Sequence, residues 1–212
     1  MLFKLEPNVK KTLPFSQIIL PAMITLLAFF GWLTAPDSTT WFTYDRIAIS
    51  DGQWWRLLSA NLLHTNLNHL LLNLAGLFLI CALHKQHYQP LLFLILFCWI
   101  SLVCTTGLYF FDTDLRWYVG LSGTLHGLMV WGAWRDIQSG MRSGWLLLLG
   151  TLGKIAYEQT MGANADIATL INAEVATNAH LFGAVGALIW IAGHYCIPGN
   201  SITMLQHNKK GS

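Results

Sequence analysis

The chain has 212 residues, 54% of them hydrophobic and only 10% charged, with a mean hydropathy of +0.49, whereas an ordinary soluble domain carries about 25% charged residues. This composition excludes a soluble globular protein, and a net charge of +2 gives no reason to invoke nucleic acid. A bilayer-spanning helix takes about 20 mostly apolar residues. The sequence divides into six such segments with short polar breaks, which reads as a single all-α membrane domain over 1–212.

The first segment, 15–35, follows Lys4, Lys10 and Lys11 and ends at LTAP, as a secretory signal would. It is longer than the usual apolar core of ~7–15 residues, and Pro36 follows the small-residue site, so it is read as a retained membrane helix. The long connection 36–63 is rich in aromatics and charges. Trp41, Phe42, Tyr44, Trp54 and Trp55 suit the headgroup level, where amphipathic rings concentrate, and the loop is expected in or on the outer leaflet. A plain aromatic belt would account for some of the same residues.

Segments two and three, 64–83 and 90–111, are followed by FFDTDLRWYVGLSG. Segment four, 120–137, is short, so this stretch is expected to re-enter the protein as irregular backbone. At membrane depth that is tolerated only where protein or a water-filled cavity surrounds it. Segments five and six cover 143–159 and 172–197.

Loop charges set the expected orientation. With a cytoplasmic N-terminus the inside collects Lys4, Lys10, Lys11, Lys85, Arg135, Arg142, Lys209 and Lys210, and the outside holds only Arg46, Arg56 and Arg116. Both ends are then cytoplasmic. Cys81, Cys98, Cys104 and Cys196 fall in or at the ends of apolar segments and read as packing residues.

In this topology segments two, four and six start on the same side of the membrane. Their N-terminal ends hold His64, His69 and Asn73, then Ser122 and His126, then Asn178 and His180. Polar side chains in membrane helices are expensive and point to function. His69 and Asn73 are four apart and share a helical face. Ser122 lies between Gly120 and Gly123, which allow close backbone approach. Taken alone, a serine between glycines in a membrane helix is more often a small packing residue. Set at the same depth as His180, Ser122 has a base to take its proton. His69, Asn73 and the Ser122 N–H are candidate donors to an oxyanion. Every role in acyl transfer is then filled except the orienting acid, and a Ser–His dyad is the consistent reading.

GLSG at 120–123, WR at 55–56, HTNLNHLLLN at 64–73 and AHLFGAVGA around His180 resemble the rhomboid intramembrane serine proteases, in the right order across the six-segment core. The resemblance implies Ser122 as nucleophile, His180 as base, and His69, Asn73 and the Ser122 N–H in the oxyanion hole. It further implies that His64 and Arg56 brace the outer loop and its surroundings, that Gly183 lets the sixth helix pack closely on the fourth, and that no metal or cofactor is needed. Many bacterial rhomboids carry a tyrosine four residues after the serine, stacked on the histidine. Here that position is His126, which could stack likewise or hydrogen-bond His180.

GLSGTLHG and KIAYEQ at 154–159 look most like the rhombosortase branch. This implies substrates anchored by a C-terminal transmembrane helix that follows a Gly-Gly signal and precedes a basic tail. It also implies a multi-pass protein of a bacterial cytoplasmic membrane, with the site open to the periplasmic side. Lys154 and Glu158, four apart, are read as an ion pair that fixes helix packing, with a direct role with substrate as the alternative. Competing readings are a catalytically inactive client-binding relative and a polytopic transporter. The transporter predicts ionisable groups through the full depth, and no Asp or Glu is expected within the core helices. Metal chemistry finds no H-E-x-x-H motif.

Overall fold

A computed structural model describes residues 15–196, with side chains from 18 to 194. Lys4, Lys10, Lys11, Lys209 and Lys210, which carry much of the orientation argument, lie outside the described residues, as does the side chain of Cys196.

The long helices are α1 (Phe15–Leu33), α5 (Leu67–His84), α6 (Pro90–Phe111), α7 (Ser122–Gln138), α8 (Ser143–Met161) and α10 (Thr177–Cys196). Between α1 and α5 lie three short helices, α2 (Asp37–Phe42), α3 (Arg46–Ser50) and α4 (Arg56–Ser59), and α9 (Ala165–Ile171) joins α8 to α10. Boundaries differ from expectation where a cap decides them. The Asn66 side chain accepts from the His69 N–H and starts α5 there, leaving His64 in the preceding loop. Asn172, expected to open the sixth helix, instead closes α9 in the left-handed conformation.

Among the described residues α5 and α6 are long and apolar enough to cross a membrane by those criteria alone, and α1 carries a shorter apolar run, Ile18–Leu33. The bundle turns large apolar side chains outward all along its length, including Leu26, Phe30, Leu91, Leu146 and Leu149. So much exposed hydrocarbon suits lipid rather than water. Buried Leu77, Leu96, Ile100, Leu121 and Leu128 fill the centre between the helices.

The 36–63 connection is folded rather than extended along a surface. Asp45 caps α3 through its side chain. Arg56 is buried, donating to the Thr43 and Thr40 carbonyls at 2.8 Å each and to Gln53 at 2.8 Å. Trp41, Phe42, Trp54 and Trp55 are exposed, as an interfacial belt requires, but Tyr44 is fully buried against Ile49, Leu108 and Tyr118. The cause is pairing: β1 (Tyr44–Asp45) runs antiparallel to β2 (Trp117–Tyr118), with Tyr44 opposite Tyr118. That pairing draws the stretch before Ser122 inward as irregular backbone, and the Gly120 N–H donates to the Ala60 carbonyl at 3.1 Å.

Two acids do lie within the long helices, contrary to the expectation of none. Asp136 on α7 is buried between His84 (3.0 Å) and His87 (2.7 Å), where α5 and α7 end. Glu158 sits near the opposite end, on α8.

Candidate active site

Alternating helices put the starts of α5, α7 and α10 and the finish of α8 at one end of the bundle. A cavity of about 690 Å³ opens there, lined by His69, Asn73, Ser122, His126, Glu158 and His180 together with apolar residues of α5 and α8. Asn178 is not part of it. Its Nδ2 donates to Asp112 at 2.8 Å, tying α10 to the end of α6.

Glycines allow the approach of α7 to α10. A Cβ on Gly123 would stand 2.8 Å from the Ala179 carbonyl, and a Cβ on Gly183 would collide with the carbonyl of Gly123. With neither side chain present the helices touch backbone to backbone, and Ser122 comes opposite His180. Gly120 has φ +135, open to glycine but strained for other residues, and any Cβ there would meet His69 Nε2 at 2.9 Å.

Ser122 Oγ lies 3.0 Å from His180 Nε2. On its other side His180 Nδ1 lies 2.7 Å from Glu158 Oε2. A carboxylate can only accept, so Nδ1 carries the proton, and Nε2 is left to accept from the Ser122 hydroxyl. Lys154 Nζ donates to the second Glu158 oxygen, Oε1, at 2.6 Å. The expected place without an acid therefore holds one. The Lys154–Glu158 pair does form, but it extends to His180 rather than closing within α8. Gln159 is exposed.

His126 stacks on His180, with ring centroids 4.0 Å apart and planes inclined by 21°. Its Nδ1 donates to the Ser122 carbonyl at 2.7 Å rather than bonding His180. His126, Glu158 and His180 could each offer a ligand atom to a metal, all within 4.8 Å of one another. Stacked imidazoles send their in-plane lone pairs along nearly parallel planes rather than to a common point; as arranged, Glu158 and His180 are hydrogen-bonded and His126 is stacked on His180. His64 is buried edge-on to His69, with centroids 5.0 Å apart, and neither of its nitrogens has a partner. Arg56 lies apart, holding the outer connection.

The His69 Nδ1 side is occupied by Thr65, through its N–H at 3.4 Å and its hydroxyl at 3.1 Å, and Nε2 faces Gly120. Asn73 Nδ2 is buried without a partner, at an end of the cavity where a ligand oxygen could reach it. The Ser122 N–H opens α7, where first-turn donors lack intrahelical acceptors. Thr65 had no role in the sequence reading. Its hydroxyl donates its one proton to the Ile171 carbonyl at 2.5 Å, a contact 106 residues away in sequence.

A Rhomboid domain matches residues 51–195. The chain is also 26% identical over 183 residues to "Putative rhomboid protease YdcA" of Bacillus subtilis (strain 168), covering 83% of this chain and 86% of that one. The domain match takes in every cavity-lining polar residue described above and more than half of the chain, and the apolar helices agree with an integral membrane protein: this chain belongs to the rhomboid family.

Proposed function

We propose that the protein is an intramembrane serine endopeptidase in which Ser122 is the nucleophile and His180 its base. The observation that carries this reading is the 3.0 Å contact between Ser122 Oγ and His180 Nε2 inside the cavity. As Oγ attacks the scissile carbonyl, its proton passes to Nε2. When the C–N bond breaks, the same proton goes to the leaving amine; water then attacks the acyl-enzyme, passing a proton to Nε2, and the ester C–Oγ bond breaks to release the acid as Oγ regains its proton. The oxyanion faces the Ser122 N–H, Asn73 Nδ2 and His69 Nε2. An unpaired buried amide costs about 1–3 kcal/mol, and an unpartnered Asn73 is offset only when an oxygen arrives. His69 Nε2 donates in the tautomer whose Nδ1 accepts from the Thr65 N–H. Stacked His126 keeps the His180 ring from tilting. No metal or cofactor enters the steps.

The proposed substrates are membrane proteins held by a C-terminal transmembrane helix, cut near its outer end at a Gly-Gly-type signal as in the rhombosortase branch. The support for this narrower step is GLSGTLHG and KIAYEQ. The proposed setting is a bacterial cytoplasmic membrane, with both termini inside and the cavity open to the periplasm. Lys85, Arg135 and Arg142 lie toward the opposite end from Arg46, Arg56 and Arg116, which agrees with that orientation.

A fluorophosphonate probe should label the purified protein, and Ser122→Ala should abolish both labelling and cleavage. Labelling that persists in the variant removes Ser122 as nucleophile. A wild-type protein that binds membrane-anchored clients yet neither labels nor cuts would favour the inactive client-binding reading.

A further inference from the structure

We propose that Glu158, held by Lys154, is the positioning residue of His180, so that the site works as a Ser–His–Glu triad delivered by three helices rather than as a dyad. This rests on the Ser122–His180 reading above. The two Glu158 oxygens have separate partners: Oε2 takes His180 Nδ1 at 2.7 Å and Oε1 takes Lys154 Nζ at 2.6 Å. The carboxylate side chain is only 10% exposed, whereas that of Lys154 is half exposed. A carboxylate so buried on a mostly apolar helix is costly without a function to retain it.

The pair is also a poor device for stabilising α8 by itself. Within a helix the favourable order places Glu four residues before Lys, and here Lys comes first. The ion pair makes sense as a brace for the carboxylate. Lys154 fixes the Glu158 rotamer, and Glu158 in turn fixes the His180 tautomer with its proton on Nδ1.

In the chemical step Glu158 neither gains nor loses a proton. The Ser122 proton moves to Nε2 as the Oγ–C bond forms, Nδ1 keeps its own proton, and the imidazolium lies between the transferred proton and the Glu158 charge. That charge stabilises the imidazolium only while it exists, so the effect falls on the reacting state rather than on binding. The arrangement also divides the labour among elements: α7 supplies the nucleophile, α10 the base and α8 the acid.

The test uses the full chain and the fluorophosphonate probe, with labelling followed against probe concentration to separate the limiting rate from half-saturation. Glu158→Gln keeps the shape and removes the charge. It should lower the limiting rate at least about a hundredfold, short of the ~10⁴ seen when the corresponding acid of a soluble triad is neutralised, and leave half-saturation within about twofold. Glu158→Asp should recover part of the rate. A Glu158→Gln protein labelled within about threefold of the wild-type rate overturns the proposal. An independent measurement needs no Glu158 variant: the wild type should show a strongly downfield Nδ1–H proton resonance that His180→Ala removes. A wild type without this resonance also overturns the proposal. Labelling that survives in Ser122→Ala is a different failure, since it removes the nucleophile and not the acid alone.

Discussion

His126 and His180 present two imidazoles within reach of Ser122, and their hydrogen bonds separate their roles. His126 donates its Nδ1–H to the Ser122 carbonyl, whereas His180 meets the Ser122 hydroxyl. In the proposed mechanism the base is the ring whose nitrogen reaches Oγ, and the other ring contributes a flat face 4.0 Å away. His180→Ala should lose all cleavage, while His126→Phe, which keeps an aromatic face and forfeits one hydrogen bond of about 0.5–1.5 kcal/mol, should keep a measurable fraction. Cleavage rates of the two variants decide the matter, and the opposite ranking would make His126 the base. Ser122, His69, Asn73 and His180 were legible in the sequence because alternating helix direction sets their depth. Glu158 was not, because a Lys and a Glu four apart look self-sufficient, and the partner that redirects the carboxylate lies 22 residues away on another helix. The direction of α8 held the clue: running opposite to α7, it brings its C-terminal turns to the depth at which α7 begins.

At the scale of elements the site depends on how closely α7 and α10 pack. Gly123 and Gly183 meet backbone to backbone, and a Cβ on Gly183 has a carbonyl in its way rather than a side chain that could turn aside. Gly183→Ala should therefore push the helices apart, cost about 1–3 kcal/mol in overpacking and lengthen the Ser122–His180 contact. Gly193→Ala on the same helix meets nothing within 4 Å and should be neutral or slightly stabilising, since alanine is the better helix former by about 1 kcal/mol. Thermal unfolding in detergent and probe labelling of both variants would check this; equal behaviour would mean that the close approach is not needed. The family resemblance pointed to Gly183, but the short β1–β2 pairing left no mark in the sequence. Two residues on each side are too few for an alternating pattern, and Tyr44 looked like one more interfacial ring. The same gap explains the 36–63 connection, whose order comes from Arg56 and Asp45 satisfying backbone groups rather than from any periodicity.

The whole molecule sets apolar surface outward and opens, at one end, a largely apolar cavity that holds a polar cluster around Ser122 and whose walls from α5 and α8 include Leu72, Leu79, Leu146 and Leu147. A substrate helix lying along those faces brings its own outer end to Ser122. Its scissile carbonyl is hydrogen-bonded within the helix, so the helix must first open there. Each glycine weakens a helix by about 0.8–1.0 kcal/mol relative to alanine, and two adjacent glycines by about 2 kcal/mol, close to a thirtyfold change in the opened fraction. That gives a Gly-Gly signal a physical role in the proposed substrate, as the place where the helix gives way. A co-expressed reporter ending in Gly-Gly, an apolar helix and a basic tail should be released in a Ser122-dependent way, and changing Gly-Gly to Ala-Ala should reduce release at least about tenfold. Equal release from both reporters would show that helix opening at the glycines does not select the substrate. Cleavage of generic rhomboid substrates with none of the Gly-Gly reporter would remove the rhombosortase-like assignment and leave the proposed protease, whose proposed nucleophile and base do not depend on the substrate's signal.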